Sequence, residues 1–125
     1  SFEQIQSRLQ EVLDNVERQF PLMGLEILVV VTDSVVQNVE RLGLTSDDVE
    51  FGIIDREGFW SGLNRCWLYA LAHSNAQVTD ESLRPQGQHL AHFRSCIITW
   101  CDKLERYGLV DYEMGFWETE ILEAL

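Results

Sequence analysis

The chain has few of the residues that stabilise secreted or membrane-spanning proteins. Its three cysteines, at positions 66, 96 and 101, are too few and odd in number for the disulfide framework of a small secreted domain. Apolar runs such as residues 27–31 are far shorter than the ~20 residues that span a bilayer. The first residues lack the basic start and apolar core of a secretory signal. We therefore expect a cytoplasmic protein in a reducing compartment.

Basic residues are scarce. Nine Lys and Arg stand against 21 Asp and Glu, so the net charge is −12. Such a charge repels phosphate backbones and anionic membrane surfaces, and we expect neither nucleic acid nor membrane as a partner. The acids are also unevenly spread, because residues 108–125 hold five of them and no base. A basic protein is the partner that this charge pattern favours.

Motifs that identify a reaction are missing from the sequence. It contains no Gly-x-Ser-x-Gly elbow, no glycine-rich phosphate loop, no Cys-x-x-Cys pair and no His-Glu-x-x-His. A thiol enzyme using a cysteine and a histidine would need a thiol of lowered pKa. The sequence therefore favours a non-enzymatic protein.

What the chain does contain is helical periodicity over most of its length. Its 125 residues, 46% hydrophobic and 24% charged, are typical of one globular domain covering residues 1–125. Apolar residues recur at steps of three and four, and proline, glycine or polar residues mark the ends. We predict an all-α, single-domain bundle of five or six helices packed around residues 25–42. The predicted helices cover residues 2–19, 22–43, 56–73 and 86–107, with a short final helix from Asp111.

A mixed fold is the alternative. Residues 25–32 are rich in β-branched side chains, and residues 49–54 alternate between apolar and polar. A single strand would have no partner for its backbone groups, so these two strands depend on each other. The alternative is an α+β fold with a small two-strand element from residues 25–32 and 49–54.

Histidines and cysteines gather on the two long C-terminal helices. If these helices form an antiparallel hairpin, His73 lies level with His89, and Cys66 lies level with Cys96. Imidazole and thiolate are common zinc ligands, so a zinc or other transition-metal site is the alternative function. Without a metal motif the main prediction is no cofactor, since buried cysteines and helix-end histidines are common structural residues. The candidate ligands are His73, His89, His92, Cys66 and Cys96.

The final segment combines large aromatic side chains with acids and contains no base. Aromatic residues are enriched in interaction hot spots, and an acidic rim speeds association with basic partners. Docking of this segment onto the protein's own core is the competing interpretation. The candidate partner-binding residues are Tyr112, Phe116, Trp117, Glu118 and Glu120.

Together these features predict a small acidic protein-interaction module. It would act as an adaptor, or as an inhibitor of a basic partner protein, without catalysis. The sequence also allows a homodimer, through the first helix or through the back of the central helix.

Overall fold

Five α-helices make up most of the computed structural model, which describes residues 2–44, 56–74 and 80–125. Within these ranges there is no strand, only one isolated bridge between Val110 and Phe116, and the all-α prediction is confirmed. Residues 25–32 are helical, so the mixed alternative is wrong there, and its second strand lies outside the described residues. The helices are α1 Phe2–Glu17, α2 Pro21–Gln37, α3 Arg56–Ala72, α4 Gly87–Glu105 and α5 Glu118–Ala124, with a short 3₁₀ turn at Glu81–Leu83.

The end of α1 has a backbone conformation that usually belongs to glycine. Gln19 has a φ of 67°, its N–H donates to the Val16 carbonyl, and the next N–H donates to the Asn15 carbonyl. These two bonds satisfy carbonyls at the helix end and reverse the chain. Pro21 then occupies the start of α2, where its missing N–H has no cost. Pro21 therefore follows the end of the first helix and at the same time begins the next one.

Helix α2 is the centre of the bundle and packs against α1, α3 and α4. The α1–α2 crossing is tight, because a Cβ on Gly24 would lie 3.0 Å from Val16 Cγ2. The regular helix ends at Gln37, earlier than predicted, where the Asn38 side chain donates to the Ser34 carbonyl. The turns that follow α2 end at Gly43, whose φ of 72° interrupts the helical backbone where the predicted helix ends.

Helices α3 and α4 do not form the predicted antiparallel hairpin. Their backbones stay more than 8 Å apart between Cα atoms. Instead α3 packs against α1, α2 and α5, while α4 packs against α2 and α5. The two helices use common neighbours to bury their apolar faces, which a helix-by-helix inspection of the sequence could not show.

Side chains bridge the distance between α3 and α4. Trp67, Trp100 and Phe116 meet edge to face, with ring centroids 5.9 to 6.4 Å apart. Each indole N–H finds a partner on α2: Trp67 donates to Thr32 Oγ1 at 3.0 Å and Trp100 to Asp33 Oδ1 at 3.1 Å. Such aromatic pairs stabilise a core by about 0.5–1.5 kcal/mol each beyond their burial. This aromatic cluster joins three elements over α2.

None of the helices in the described part of the chain is both long and apolar enough to cross a bilayer.

Candidate functional site

The chain between α4 and α5 is held in place by one buried amide. Asn64 of α3 is fully buried; its Nδ2 donates to the Gly115 carbonyl at 2.9 Å, and its Oδ1 accepts the Trp117 N–H at 3.0 Å. Both ends of the side-chain amide therefore bind backbone groups of the C-terminal segment. Because a buried polar group without a partner is costly, this arrangement fixes residues 115–117 against α3.

Two glycines let the chain fold back at this point. Gly108 has a φ of 69°, and the next N–H returns to the Leu104 carbonyl, so α4 ends as predicted. Gly115 lies directly on the Leu109 backbone, where an added Cβ would come within 2.4 Å of the carbonyl carbon and oxygen. No side chain fits there, and the Phe116 N–H can bond the Leu109 carbonyl at 2.9 Å.

Asp111 has a different role from the predicted helix start. It adopts a φ of 54°, and its carboxylate accepts the backbone N–H of Thr119 at 2.9 Å and the Thr119 hydroxyl at 3.1 Å. The helix itself begins at Glu118. Asp111 thus caps α5 from a distance, because a carboxylate stabilises the exposed amides at a helix start.

The outcome is a surface depression that we call the C-terminal groove. It has a volume of about 400 Å³, and Tyr112 at its edge is 59% exposed. Its acids are Asp111, Glu113 and Glu120, and no base occurs among the described residues that line it. The groove is lined by Asp111, Tyr112, Glu113, Trp117, Thr119 and Glu120.

The predicted partner-binding residues separate into two groups. Tyr112, Trp117 and Glu120 lie together in the C-terminal groove. Phe116 is fully buried in the aromatic cluster, and Glu118 lines a neighbouring depression beside Cys101. Phe116 therefore docks the segment onto the protein's own core, as the competing interpretation expected, and leaves the side chains of the groove at the surface.

The histidines and cysteines form no common seam. His73 Nδ1 lies 2.9 Å from the Tyr69 carbonyl, and His89 Nδ1 accepts the Gln86 N–H at 2.8 Å. His92 and Cys96 are brought together, with Nε2 and Sγ 3.6 Å apart. Among residues 2–44, 56–74 and 80–125, no group of three or more His, Cys, Asp or Glu could hold a metal ion.

Cys66, the fifth predicted ligand, is buried and faces a groove between α1 and α3. Burial raises the pKa of its thiol to about 12. Burial also raises the pKa of Cys101, with further contributions from nearby acids, first Glu118. Burial and Asp33 raise the pKa of Cys96. All three cysteines are therefore neutral thiols at pH 7, whereas nucleophilic catalysis needs a thiolate.

Asn64 is the positioning residue that sequence reasoning missed. Its spacing from Trp60, Trp67 and Leu71 is four, three and seven residues, which places it on the buried face of α3. An asparagine on a buried helical stripe is a signal for a specific hydrogen-bond partner, because its amide must be satisfied there. The partner itself, 51 residues away at Gly115, has no signature in the sequence.

Comparison with protein-family models, with curated proteins and with solved structures finds no match to this chain.

Proposed function

We propose that the protein is a small acidic interaction module, without catalytic activity, whose C-terminal groove binds a basic segment of a partner protein. The observation that carries the proposal is the exposed ring of Tyr112 beside three acids, on a backbone that Asn64 fixes to the core. In this proposal the protein works in the cytoplasm as an adaptor or as an inhibitor of its partner.

The chemistry of the groove favours arginine or lysine side chains. A cation over an exposed aromatic ring gains about 0.5–1 kcal/mol, and each exposed ion pair adds about 0.2–1 kcal/mol. Arginine is favoured over lysine because its planar guanidinium can stack on a ring while it bonds a carboxylate. Tyr112 and Glu113 both line the groove, where a guanidinium stacked on the ring has a carboxylate nearby.

The fixed backbone also favours binding. Ordering a loop or a side chain at an interface costs free energy that reduces affinity. Here the backbone between Gly108 and α5 is held by Asn64, by the Asp111 cap and by the Leu109–Phe116 bond. The net charge of −12 adds a long-range field that attracts basic proteins and speeds their encounter.

A peptide that alternates arginine with glycine is a suitable probe. We expect Glu113→Gln with Glu120→Gln to weaken binding by about tenfold, the loss of roughly 1.4 kcal/mol from two exposed ion pairs. Tyr112→Ala alone should weaken binding about threefold, the loss of roughly 0.5–1 kcal/mol of cation–π contact. The matched control is Glu26→Gln with Glu81→Gln, which removes the same charge at exposed positions outside the groove. Binding is measured by NMR titration at about 50 and 300 mM salt, since exposed charge pairs are screened.

Equal weakening by the two charge-matched double variants would contradict the proposal, because the net charge alone would then explain binding. NMR chemical-shift changes confined to residues outside 111–120 would contradict the proposal as well. If the probe behaves as expected, the same variants can be used to identify the natural partner: a protein retained by the wild type and by the control, but lost with Tyr112→Ala, uses the groove.

A further inference from the structure

A second groove lies between α1, α2 and the turn that follows α2. Its volume is about 510 Å³, within the roughly 300–1,000 Å³ typical of small-molecule sites. Its apolar lining comes from Ile5, Val31, Leu42 and Val30, of which Val30 is 60% exposed. Val30 lies on the back of the central helix, and nothing in the proposed function explains its exposure.

Two arginines line this groove, which we call the arginine groove. Arg8 comes from α1 and Arg41 from the turn after α2, and none of the described residues that line the groove is an acid. This is unusual for a chain of net charge −12 with only nine bases. The charged side chains that line the groove are therefore opposite in sign to the net charge of the whole molecule.

The present contacts of both guanidinium groups are weak and partial. Arg8 Nη1 binds Glu11 at 3.0 Å, but both side chains are about half exposed, so the pair is worth little. Arg41 Nη1 reaches Asn38 Oδ1 at 3.4 Å, near the limit for a hydrogen bond. A guanidinium has five donors in a planar fork that matches an oxyanion, so each arginine has donors beyond these contacts.

We propose that the arginine groove binds a small amphipathic carboxylate, with its hydrocarbon chain over Val30, Val31 and Leu42 and its carboxylate at Arg8 and Arg41. Charge complementarity selects an anion over a cation within the groove. The field of the whole protein then selects a monoanion over a dianion such as a phosphate monoester, because repulsion by the other acids grows with ligand charge. This site is separate from the C-terminal groove and does not depend on the proposed function.

Octanoate is the probe, with octanol, octylammonium and octyl phosphate as comparison ligands of equal chain length. NMR titration should show octanoate shifting the amides around Val30 and Leu42, and binding about tenfold more tightly than octanol, as expected for one or two charge-assisted bonds. Octylammonium should bind those amides less tightly, although the net charge of −12 favours it elsewhere on the molecule.

The test variant is Arg8→Gln with Arg41→Gln, and the matched control is Arg18→Gln with Arg94→Gln, two exposed arginines outside the groove. The test variant should lose about tenfold in octanoate affinity and leave octanol unchanged, while the control keeps both affinities. Thermal unfolding checks that each variant is folded. Val30→Ser should weaken octanoate and octanol equally, because it removes apolar contact only.

Four results would overturn the proposal. Octanoate binding unchanged in the test variant, or reduced equally in the control, would remove the arginines from the site. Octylammonium binding these amides as tightly as octanoate would show that the acidic field prevails inside the groove. Octyl phosphate binding more tightly than octanoate would replace the carboxylate assignment with a phosphate one.

Discussion

Removing the Asn64 amide should destabilise the whole protein and loosen its C-terminal segment first. In Asn64→Ala, the Gly115 carbonyl loses the donor at 2.9 Å, and the Trp117 N–H loses the acceptor at 3.0 Å. A buried polar group left without a partner costs about 1–3 kcal/mol. Gly115 is buried and Trp117 is half-buried, so the expected total is about 3 kcal/mol. For a domain of 125 residues this corresponds to a fall in Tm of about 10 °C.

Urea unfolding followed by tryptophan fluorescence measures this change. The matched control is Asn15→Ala, because the Asn15 side chain makes only a local bond, 2.8 Å to the Glu11 carbonyl one turn earlier in α1. The control should change the free energy of unfolding by about 0.5 kcal/mol or less, since alanine also favours the helix.

Hydrogen exchange tests the location of the effect. The amides of Asp111 and Phe116, which bond across the turn between α4 and α5, should lose protection in Asn64→Ala before the amides of α1 do. The reasoning fails if Asn64→Ala costs less than about 1 kcal/mol, or if protection falls equally over the whole chain. Binding of the arginine peptide should also fall in this variant, because the C-terminal groove loses its fixed backbone.

Four further predictions concern individual side chains. Gly62→Ala should stabilise the protein by about 0.5–1 kcal/mol in urea unfolding, because an added Cβ meets nothing within 4 Å in the middle of α3; a loss would show that the site is packed. Gln19→Gly should raise the free energy of unfolding by about 1 kcal/mol, because a φ of 67° strains every residue that carries a Cβ. The control Gln19→Ala keeps a Cβ and should leave the free energy of unfolding unchanged. In native alkylation at pH 8 followed by mass spectrometry, Cys96, the least buried thiol, should react before Cys66 and Cys101. The free energy of unfolding should fall as pH rises from 9 towards 12. The unfolded chain releases the Cys66 proton near its ordinary pKa of 9.0, whereas burial raises the pKa in the folded chain to about 12. Equal alkylation of the three cysteines, or a stability that does not change with pH, would contradict the assigned burial.

The two proposals together describe a protein with two surfaces of opposite local charge. The C-terminal groove offers carboxylates and an aromatic ring, and the arginine groove offers guanidinium groups and aliphatic side chains. Because the variants for each surface leave the other untouched, failure of one proposal does not affect the other.

Local physics explains why the helices could be predicted from the sequence. A helix buries one stripe, so residues spaced three and four apart reveal its inner face wherever it packs. Trp67 and Trp100 occupy such positions in their helices, and both are buried. The stops at Gly43 and Gly108 were equally predictable, because a left-handed backbone strongly favours glycine and involves only neighbouring residues.

The candidate site was predicted only in part. A segment of acids and aromatics without a base is visible in the sequence, and Tyr112, Trp117 and Glu120 do lie together. The sequence did not show which aromatic ring faces inward. Phe116 is buried because Gly115 and the Asn64 amide set the chain against α3, and both contacts join residues far apart in sequence.

The amino-acid order by itself determined the helices, most of their ends and the excess of acid, because each depends on neighbours within a few positions. Only the tertiary structure decided that α3 and α4 pack on α2 and α5 instead of on each other, and so separated Cys66 from His92 and Cys96. The physical reason is that an apolar stripe is attracted to any other apolar surface of suitable shape. Which surface it meets depends on packing summed over the whole chain, and no single segment carries that information.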